Sequence, residues 1–257
     1  MSRPPPTTEL CEHTDNAIRY RDLDLVADIL GKKSFIEVMT LQILDRALSP
    51  DQRDLIEAAM IAVMEHGLTP SVIAARSIYM SSPENLQAGV AAGLLGVASQ
   101  FVGTMENCAE LLAEIVAAPE AEREAKAAQV VDRHRDARRH VPGFGHHLHR
   151  PDDPRAARLL ELQKEKGLDG PAAGALGLLA RAVDQAYGRH LTINATGATA
   201  AIFCDLQIPV SVMRGFAIIS RAAGLVAHLA EEQRNPAGRF IWELVDENIP
   251  FAKRAAT

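Results

Sequence analysis

The feature that most constrains the fold of this chain is a series of prolines that separates long segments with helical periodicity. Proline suits the first turn of a helix and stops the helix before it, so each proline marks a joint. The prolines at these joints are Pro50, Pro70, Pro119, Pro142, Pro154, Pro171, Pro209 and Pro236. The periodicity predicts helices at about 35–47, 51–65, 70–81, 84–102, 105–117, 119–138, 154–166, 171–188, 195–206, 209–230 and 236–247. The sequence therefore predicts an all-α fold.

The composition supports a helical core and limits the classes of partner. Hydrophobic residues make up 47% of the 257-residue chain and aromatic residues only 4%, so Ala, Leu, Val and Ile must build most of the core. Such a core favours closely packed helices. The net charge of -6 argues against a nucleic-acid-binding protein, because phosphate backbones require a basic surface. A local basic pocket for a small anion is still compatible with this charge.

The cysteines and the N-terminus predict a soluble, cytoplasmic protein. Cys11, Cys108 and Cys204 are odd in number and lack metal-ligand spacing, which fits a reducing compartment. No segment offers about eighteen uninterrupted apolar residues, and the first residues lack the apolar run of a signal peptide. We expect a flexible arm at residues 1–16, an extended segment at 17–22 and no membrane association.

A glycine-rich stretch, Ala88–Ala98, is unusual for a helix. Each glycine there costs roughly 0.5–1 kcal/mol relative to alanine. Small residues in succession let another backbone approach closely, either within the subunit or from a second one. Ordinary core packing is the third interpretation, and the sequence alone leaves all three open.

The segment His140–Arg155 combines a glycine-flanked histidine loop with the start of a helix. Asp153 is placed to cap this helix, and Pro154 suits its first position. Arg155 then lies in the first turn, where the helix dipole disfavours a cation. An anion bound at this helix start would explain the arginine. The alternative is a surface loop with a chance cluster of arginines.

Three histidines in this loop raise the question of a metal site. His146, His147 and His149 are close in sequence, but no cysteine or acidic residue lies at the spacing of a complementary ligand. We therefore expect no metal.

A second anomaly lies in the apolar segment near residue 220. Arg214, Arg221 and His228 are seven residues apart and share one face of the predicted helix. An arginine in such apolar surroundings needs a buried partner or a bound anion. An internal salt bridge and an anion site both remain possible from the sequence.

These motifs together resemble the citrate synthase superfamily, most closely the short citryl-CoA lyases and the C-terminal domain of ATP-citrate lyase. The resemblance runs from about Ile18 to about Arg239 and covers most of the chain. The segments that carry it are Ile18–Leu25, His66–Ser71, Ala74–Arg76, Pro142–His146, Asp153–Arg155 and Arg221–Gly224. The segment Pro142–His146 with Asp153–Arg155 is its most specific part.

The resemblance implies roles for individual residues. His66 and His146 would hold the hydroxyl or carbonyl oxygen and the carboxylates of an oxaloacetate-like substrate, while Arg155 and Arg221 would bind carboxylates in bidentate fashion. A further arginine, Arg239 or its competitor Arg234, would reach the active site of a partner subunit. The groups implied to contact CoA are the backbone at Gly143, Phe144 and Gly145 and the side chain of Arg150.

The resemblance also implies a homodimeric, citrate synthase-like fold with two domains per subunit. We expect a large domain at about 17–103 and 207–257 and a small mobile domain at about 104–206. Domain closure would exclude water from a reactive enolate and thioester.

Two positions depart from the citrate synthase pattern. Phe101 stands where citrate synthases carry a histidine that assists enolisation, and ATP-citrate lyase also has phenylalanine there. Thr196 stands where the family has the aspartate that moves the proton at the acetyl methyl carbon. A hydroxyl cannot take a carbon proton at neutral pH as a carboxylate can. Thr196 could orient a water or polarise a carbonyl, and Asn194 and Thr196 could equally be helix-capping residues.

Three functional hypotheses follow from the resemblance. The first is citryl-CoA lyase-type cleavage of citryl-CoA to acetyl-CoA and oxaloacetate, with His146, His66 and Thr196 as catalytic residues. The second is a citrate synthase-like enzyme that uses a different acyl-CoA and 2-oxo acid, and the third is a non-catalytic protein that binds CoA or carboxylates. No permanently bound cofactor is expected. ATP use is not expected either, because the chain has no GxxxxGK[ST] motif.

Overall fold

The structure is a computed structural model that describes residues 5–98, 100 and 102–252. Its helices are α1 Phe35–Leu44, α2 Pro50–Met64, α3 Pro70–Ser81, α4 Leu86–Leu95, α5 Thr104–Ala117, α6 Arg123–Asp136, α7 Pro154–Glu165, α8 Pro171–Tyr187, α9 Ala195–Asp205, α10 Val210–Glu232 and α11 Gly238–Asn248. Each predicted helical segment overlaps one of these helices, and the all-α prediction is confirmed.

One helix is much shorter than predicted. The segment 84–102 was expected to be a single helix, but α4 ends at Leu95 and Gly96 forms its C-cap. A Cβ at Gly96 would lie 3.1 Å from Ser71 Cα, so the chain passes very close to the start of α3 here. Apolar small residues continue beyond Gly96, and their periodicity concealed this end in the sequence.

The chain divides into two compact units, Met1–Glu57 and Ala58–Thr257. The first unit contains an antiparallel sheet of three short strands in the order β1 Cys11–His13, β2 Ile18–Tyr20 and β3 Leu23–Asp24. Strand β2 lies in the segment expected to be extended, and β1 lies within the predicted arm. The predicted mobility of residues 1–16 and the division into large and small domains stay predictions.

Helix α10 is central to the second unit. It packs against α3, α4, α5 and α9. The apolar cluster that joins it to α3 consists of Val72, Ala75, Tyr79, Leu225 and Leu229. Among the described helices, only α10 is long and apolar enough to cross a membrane, a test that core helices of soluble proteins also pass. The expectation of no membrane association stays a prediction.

The glycines of α4 are explained by close packing within the chain. A Cβ at Gly89 would lie 2.8 Å from Leu229 Cδ1, and one at Gly93 would lie 2.7 Å from Leu225 and 2.9 Å from Ser71 O. Helix α4 can therefore lie this close to α3 and α10 because it carries glycine at the points of contact.

Because of this packing, replacing glycine by alanine should change the free energy of unfolding in opposite directions at two positions. We expect Gly93→Ala to lower the free energy of unfolding by about 1–2 kcal/mol, because overpacking outweighs the better helix propensity of alanine. Gly174 on α8 is the matched control, since a Cβ there would meet nothing within 4 Å. Gly174→Ala should raise the free energy of unfolding by about 0.5–1 kcal/mol. Urea denaturation of both variants tests the pair, and a stabilised Gly93→Ala protein would contradict the packing.

Candidate functional site

The histidine loop between α6 and α7 is held on the segment that precedes α9. The Gly145 N–H donates to Thr192 O at 2.8 Å, and the Asn194 N–H donates to Gly143 O at 3.0 Å. The Asn194 side chain adds a bond from Nδ2 to Gly145 O at 3.1 Å. Gly143 and Gly145 have φ values of 87° and 79°, which glycine tolerates best. The loop is therefore fixed in one conformation by backbone bonds.

The two glycines of this loop have different surroundings. A Cβ at Gly143 would lie 2.6 Å from Cys108 Sγ and 3.0 Å from Gly197 Cα, so Gly143 packs against the protein itself. A Cβ at Gly145 would meet nothing within 4 Å. The space beside Gly145 is open to a ligand, whereas the space beside Gly143 is filled by the protein itself.

The loop determines which ring nitrogen of His146 carries the proton. His146 Nδ1 lies 3.1 Å from the backbone nitrogen of Leu148 and 3.0 Å from that of His149. A backbone N–H can only donate, so Nδ1 accepts both bonds. In the neutral ring the proton is then on Nε2. His146 thus presents a hydrogen-bond donor from Nε2.

The surroundings also keep His146 uncharged. Burial lowers the pKa of His146 to about 4, and the neighbouring His149, His147 and His66 act in the same direction. Burial likewise lowers the pKa of His66, with a further contribution from Arg155. Both imidazoles that the resemblance assigns to substrate binding are therefore neutral at pH 7.

The structure brings His66 and the histidine loop together. The ring centroid of His66 lies 5.0 Å from that of His146, and His66 Nε2 lies 3.4 Å from His149 Nε2. His149 also stacks on His146 with a centroid distance of 4.3 Å. His149 was not predicted as a substrate-binding or catalytic residue. Its three-residue spacing from His146, within a loop already singled out, was the available signal.

His66, His146 and His149 form a cluster with metal-binding potential. One ring nitrogen from each lies within 4.8 Å of the other two. A metal needs an unprotonated nitrogen, but Nδ1 of His146 already accepts two bonds and Nε2 carries the proton. The arrangement fits a hydrogen-bond donor better than a metal ligand, and the expectation of no metal stays a prediction.

Helix α7 begins as predicted, with Asp153 as its cap. Asp153 Oδ1 accepts from the Arg155 N–H at 3.0 Å, and the carboxylate also binds the Arg155 guanidinium through Nε at 3.0 Å and Nη2 at 2.7 Å. The fully buried Asp153 also accepts from the Ala195 N–H at 3.1 Å. Arg155 therefore has an internal counter-ion, Asp153, in addition to the cap that the sequence predicts. Its position in the first turn does not by itself require a bound anion.

Arg221 is a buried arginine that lacks such a counter-ion among the described residues. Its side chain lies in α10 with only 7% of the residue exposed, and Nη1 has no hydrogen-bond partner among the described residues. Burial lowers the pKa of Arg221, as does Arg155, while Glu65 opposes the shift. Of the two interpretations of this helix face, the salt bridge holds for Arg214, which pairs with Glu106. Nε of Arg214 also has no hydrogen-bond partner among the described residues, but Arg221 differs in having no carboxylate paired with its charge there.

A small cavity of about 40 Å³ lies beside Arg221. The other residues that line it are Thr69, Pro70, Ser71, Gly96, Val97 and Val102. Thr69 Oγ1 and Ser71 Oγ are 3.0 Å apart at the start of α3, and Thr69 makes no side-chain cap bond within the described chain. A guanidinium, two hydroxyls and an uncapped helix start together suit a carboxylate. Thr69 and Ser71 were missed as binding residues because hydroxyls at a helix start usually indicate capping.

Thr196 lies in the first turn of α9, and its hydroxyl proton is donated to a neighbouring side chain. Thr196 Oγ1 donates to Asn194 Oδ1 at 2.7 Å and lies 2.9 Å from Thr104 Oγ1. Asn194 Oδ1 also accepts from the Gly197 N–H at 3.0 Å, so Asn194 is the helix cap that the sequence allowed. The Thr196 hydroxyl can accept a bond, but its proton is committed to Asn194.

The three other arginines that the resemblance implies are exposed. Arg150 is exposed, and so is Arg239, whose Nε donates to Glu243 at 2.6 Å and whose guanidinium lies 4.7 Å from the Trp242 ring centroid. Arg234 is exposed in the turn before α11. Phe101 lies outside the described residues. The implied roles of the arginines toward CoA or a partner subunit stay predictions.

The low pKa of His146 makes the stability of the protein depend on pH. Between the ordinary imidazole value of 6.5 and about 4, the unfolded chain binds a proton at this residue that the folded chain does not. The free energy of unfolding therefore falls as pH drops through this window. In His146→Asn this fall in the free energy of unfolding should be smaller by about 1–3 kcal/mol. Denaturation at pH 7 and pH 4.5 tests this, and an unchanged pH dependence would contradict a neutral, partly buried His146.

Comparison with known proteins identifies a family and a curated relative for this chain. Residues 12–242 match the family described as citrate synthase, C-terminal domain. A putative citrate synthase 2 from Mycobacterium tuberculosis is 30% identical over 196 residues, which cover 72% of this chain and 49% of that protein. The chain thus spans about half the length of this curated relative.

Solved structures share the fold over nearly the whole chain. A citryl-CoA lyase from Hydrogenobacter thermophilus superimposes with a TM-score of 0.84 at 27% identity, covering 98% of this chain and 96% of that one. ATP citrate lyase from Methanosaeta concilii, solved with (3S)-citryl-CoA, has a TM-score of 0.77 at 18% identity, covering 99% of this chain and 43% of that one. The chain belongs to the citrate synthase family.

Proposed function

We propose that this protein is a lyase that cleaves citryl-CoA to acetyl-CoA and oxaloacetate. The observation that carries the proposal is the buried Arg221 guanidinium, which has an unsatisfied donor beside hydroxyls and an uncapped helix start. Such a group favours a carboxylate ligand, because binding one would neutralise its charge. The similarity to the Hydrogenobacter thermophilus citryl-CoA lyase, at nearly full length, supports this substrate over others in the family.

The arrangement divides the work between a donor and a base. His146 donates from Nε2 to the substrate oxygen that becomes the carbonyl of oxaloacetate. It cannot take the hydroxyl proton, because Nδ1 already accepts two backbone bonds. His66 is the neutral imidazole beside it and is the better base.

The proposed reaction balances without a redox partner or a metal. The tertiary hydroxyl loses its proton to His66, the C–C bond breaks, and its electron pair forms the enolate of acetyl-CoA. The enolate carbon then gains a proton from water, and protonated His66 returns its proton to the resulting hydroxide, so no net proton is gained or lost. Arg221 and Arg155 hold the carboxylates in place while the bond breaks, so the binding energy is used to orient the substrate.

The CoA moiety would lie along the histidine loop. The open space beside Gly145 admits a ligand close to the backbone, and Arg150 is exposed and available for phosphates. We further propose a cytoplasmic homodimer with closing domains, in which Arg239 reaches the site of the partner subunit. CoA enters as part of the thioester substrate, with no permanently bound cofactor.

The hydroxyl of Thr196 should not carry the proton transfer. We expect Thr196→Val to lower kcat by no more than about tenfold, because the 10²–10⁴-fold contribution typical of a general base is not available to it. Thr196→Ser keeps the hydroxyl and serves as the matched control. A loss above a hundredfold in Thr196→Val, with normal Thr196→Ser activity, would show that the hydroxyl itself moves a proton.

A citrate synthase-like enzyme for another acyl-CoA and oxo acid is the second candidate, because Thr196 replaces the family aspartate. A panel of 3-hydroxy-acyl-CoA thioesters, including (3S)-citryl-CoA, separates the candidates when products are identified by mass spectrometry. The proposal predicts that citryl-CoA has the highest kcat/KM of the panel. Preference for another thioester would favour the second candidate, and thermal stabilisation by CoA without any turnover would favour a binding protein.

A further inference from the structure

Helix α10 presents three residues of interest on one face toward the turn that carries His66. Arg221, Gly224 and His228 are separated by three and four residues, so they lie above one another along the helix. A Cβ at Gly224 would overlap the backbone oxygen of Met64, the last residue of α2. The helix therefore touches the end of α2 at Gly224, with Arg221 on one side of the contact and His228 on the other.

His228 has a charged side chain beside each of its two ring nitrogens. Arg76 Nη2 lies 2.9 Å from His228 Nδ1, and because a guanidinium can only donate, Nδ1 accepts. The ring proton is then on Nε2, which lies 2.9 Å from Glu65 Oε1. This contact is short and electrostatic, but it is not an aligned hydrogen bond. The other charged group facing the ring is Glu231, whose Oε2 lies 4.0 Å from Nδ1.

Glu65 transmits this contact to the backbone of the next two residues. Its Oε1 accepts from the His66 N–H at 2.8 Å and from the Gly67 N–H at 2.5 Å. Gly67 has a φ of 74°, so the chain turns sharply just after His66. A single carboxylate therefore holds the turn, and His228 holds that carboxylate.

We propose that His228 is a positioning residue that fixes the His66 turn relative to Arg221. This inference rests on the proposed function for the roles of His66 and Arg221. The bridge from Arg76 through His228 to Glu65 joins α3, α10 and the end of α2. It sets the distance between the base and the carboxylate-binding arginine, although His228 itself does not contact the substrate.

The fold should tolerate loss of this bridge. Arg76 is 2% exposed and keeps two other partners, Glu232 at 2.5 Å and Glu231. Glu232 in turn accepts from the N–H groups of Ala237 and Gly238 at the start of α11. Removing His228 therefore leaves the buried guanidinium paired, and the effect should fall on the His66 turn.

Two substitutions at His228 test the proposal. His228→Leu removes the hydrogen bond from Arg76 and the electrostatic contact with Glu65. We expect kcat/KM for citryl-CoA to fall by about ten- to a hundredfold, as a small misplacement of a reacting group can cause. His228→Gln can accept from Arg76 and donate to Glu65, so it should restore activity to within about threefold of the wild type. Oxaloacetate affinity, measured by calorimetry, should fall and recover in the same order.

A control and a spectroscopic readout make the outcome decisive. His134→Leu removes another buried histidine, on α6, whose Nδ1 bonds Val130 O at 2.9 Å, and it should leave kcat/KM unchanged. The imidazole ¹⁵N signals of His66 should shift in His228→Leu and stay in place in His228→Gln. Equal activity and equal His66 signals in wild type and His228→Leu would overturn the proposal, as would a His228→Gln protein as impaired as His228→Leu.

The same readouts separate this inference from the proposed function. A wild-type protein that cleaves no citryl-CoA would count against the proposed function alone. The His66 signals of the two His228 variants then still decide whether His228 positions the turn.

Discussion

His146→Ala should lower the kcat of citryl-CoA cleavage by about a hundredfold or more while leaving the protein folded. Loss of one donor to a developing oxyanion costs about 10²–10³-fold in kcat. His146 has this role because its Nδ1 accepts from two backbone N–H groups and its pKa is lowered to about 4, so a neutral ring presents Nε2–H. Steady-state kinetics with (3S)-citryl-CoA, together with circular dichroism, measure the two effects separately.

Two further variants distinguish the loss of the imidazole donor from a disruption of the loop structure. His146→Asn keeps an acceptor for the loop amides and should still lose activity, because its amide does not reach where Nε2 lies. His147→Ala removes the exposed ring stacked 4.7 Å from His146 and should change kcat by less than about threefold. Full activity in both His146 variants would remove His146 from the mechanism.

Arg221→Leu should produce a protein that is more stable and inactive. Two charge-assisted hydrogen bonds to a carboxylate contribute about 3–6 kcal/mol, so kcat/KM should fall by about 10²–10⁴-fold. The buried guanidinium has an unsatisfied Nη1, so an apolar side chain should raise the free energy of unfolding by about 1 kcal/mol or more. Oxaloacetate should no longer raise the melting temperature of this variant.

Arg214→Leu is the matched control on the same helix face. Arg214 is paired with Glu106, so its loss leaves a partly buried carboxylate without its partner and should destabilise the protein. Stabilisation by oxaloacetate should persist in Arg214→Leu. If Arg221→Leu were as destabilised as Arg214→Leu and still bound oxaloacetate, Arg221 would be a structural residue and the carboxylate site would lie elsewhere.

Local signals made the helices and the start of α7 predictable. Pro154 and the cap at Asp153 are adjacent in sequence, and the cap bond from the Arg155 N–H to the Asp153 side chain is equally local. The end of α4 was not predictable, because it depends on how closely Gly96 approaches Ser71 on another helix. Sequence patterns describe one element well, but they do not contain the distance between two elements.

The same limit applies to the site. Arg214 and Arg221 lie on the same face of α10 and have similar apolar neighbours in the sequence. Arg214 nevertheless forms an ion pair with Glu106, 108 residues away, whereas Arg221 forms no ion pair with a carboxylate among the described residues. The resemblance identified His66 and His146, which the structure brings within 5.0 Å of each other. It could not reveal the tautomer of His146 or the part played by His149, since both follow from the loop conformation.

Citryl-CoA cleavage is tested most directly by the initial rate of oxaloacetate formation from (3S)-citryl-CoA, followed with malate dehydrogenase and NADH. We expect acetyl-CoA and oxaloacetate to be released in equal amounts, and this release to be lost in His146→Ala and in Arg221→Leu. A folded wild-type protein that binds CoA and releases neither product would contradict the assignment as a citryl-CoA lyase.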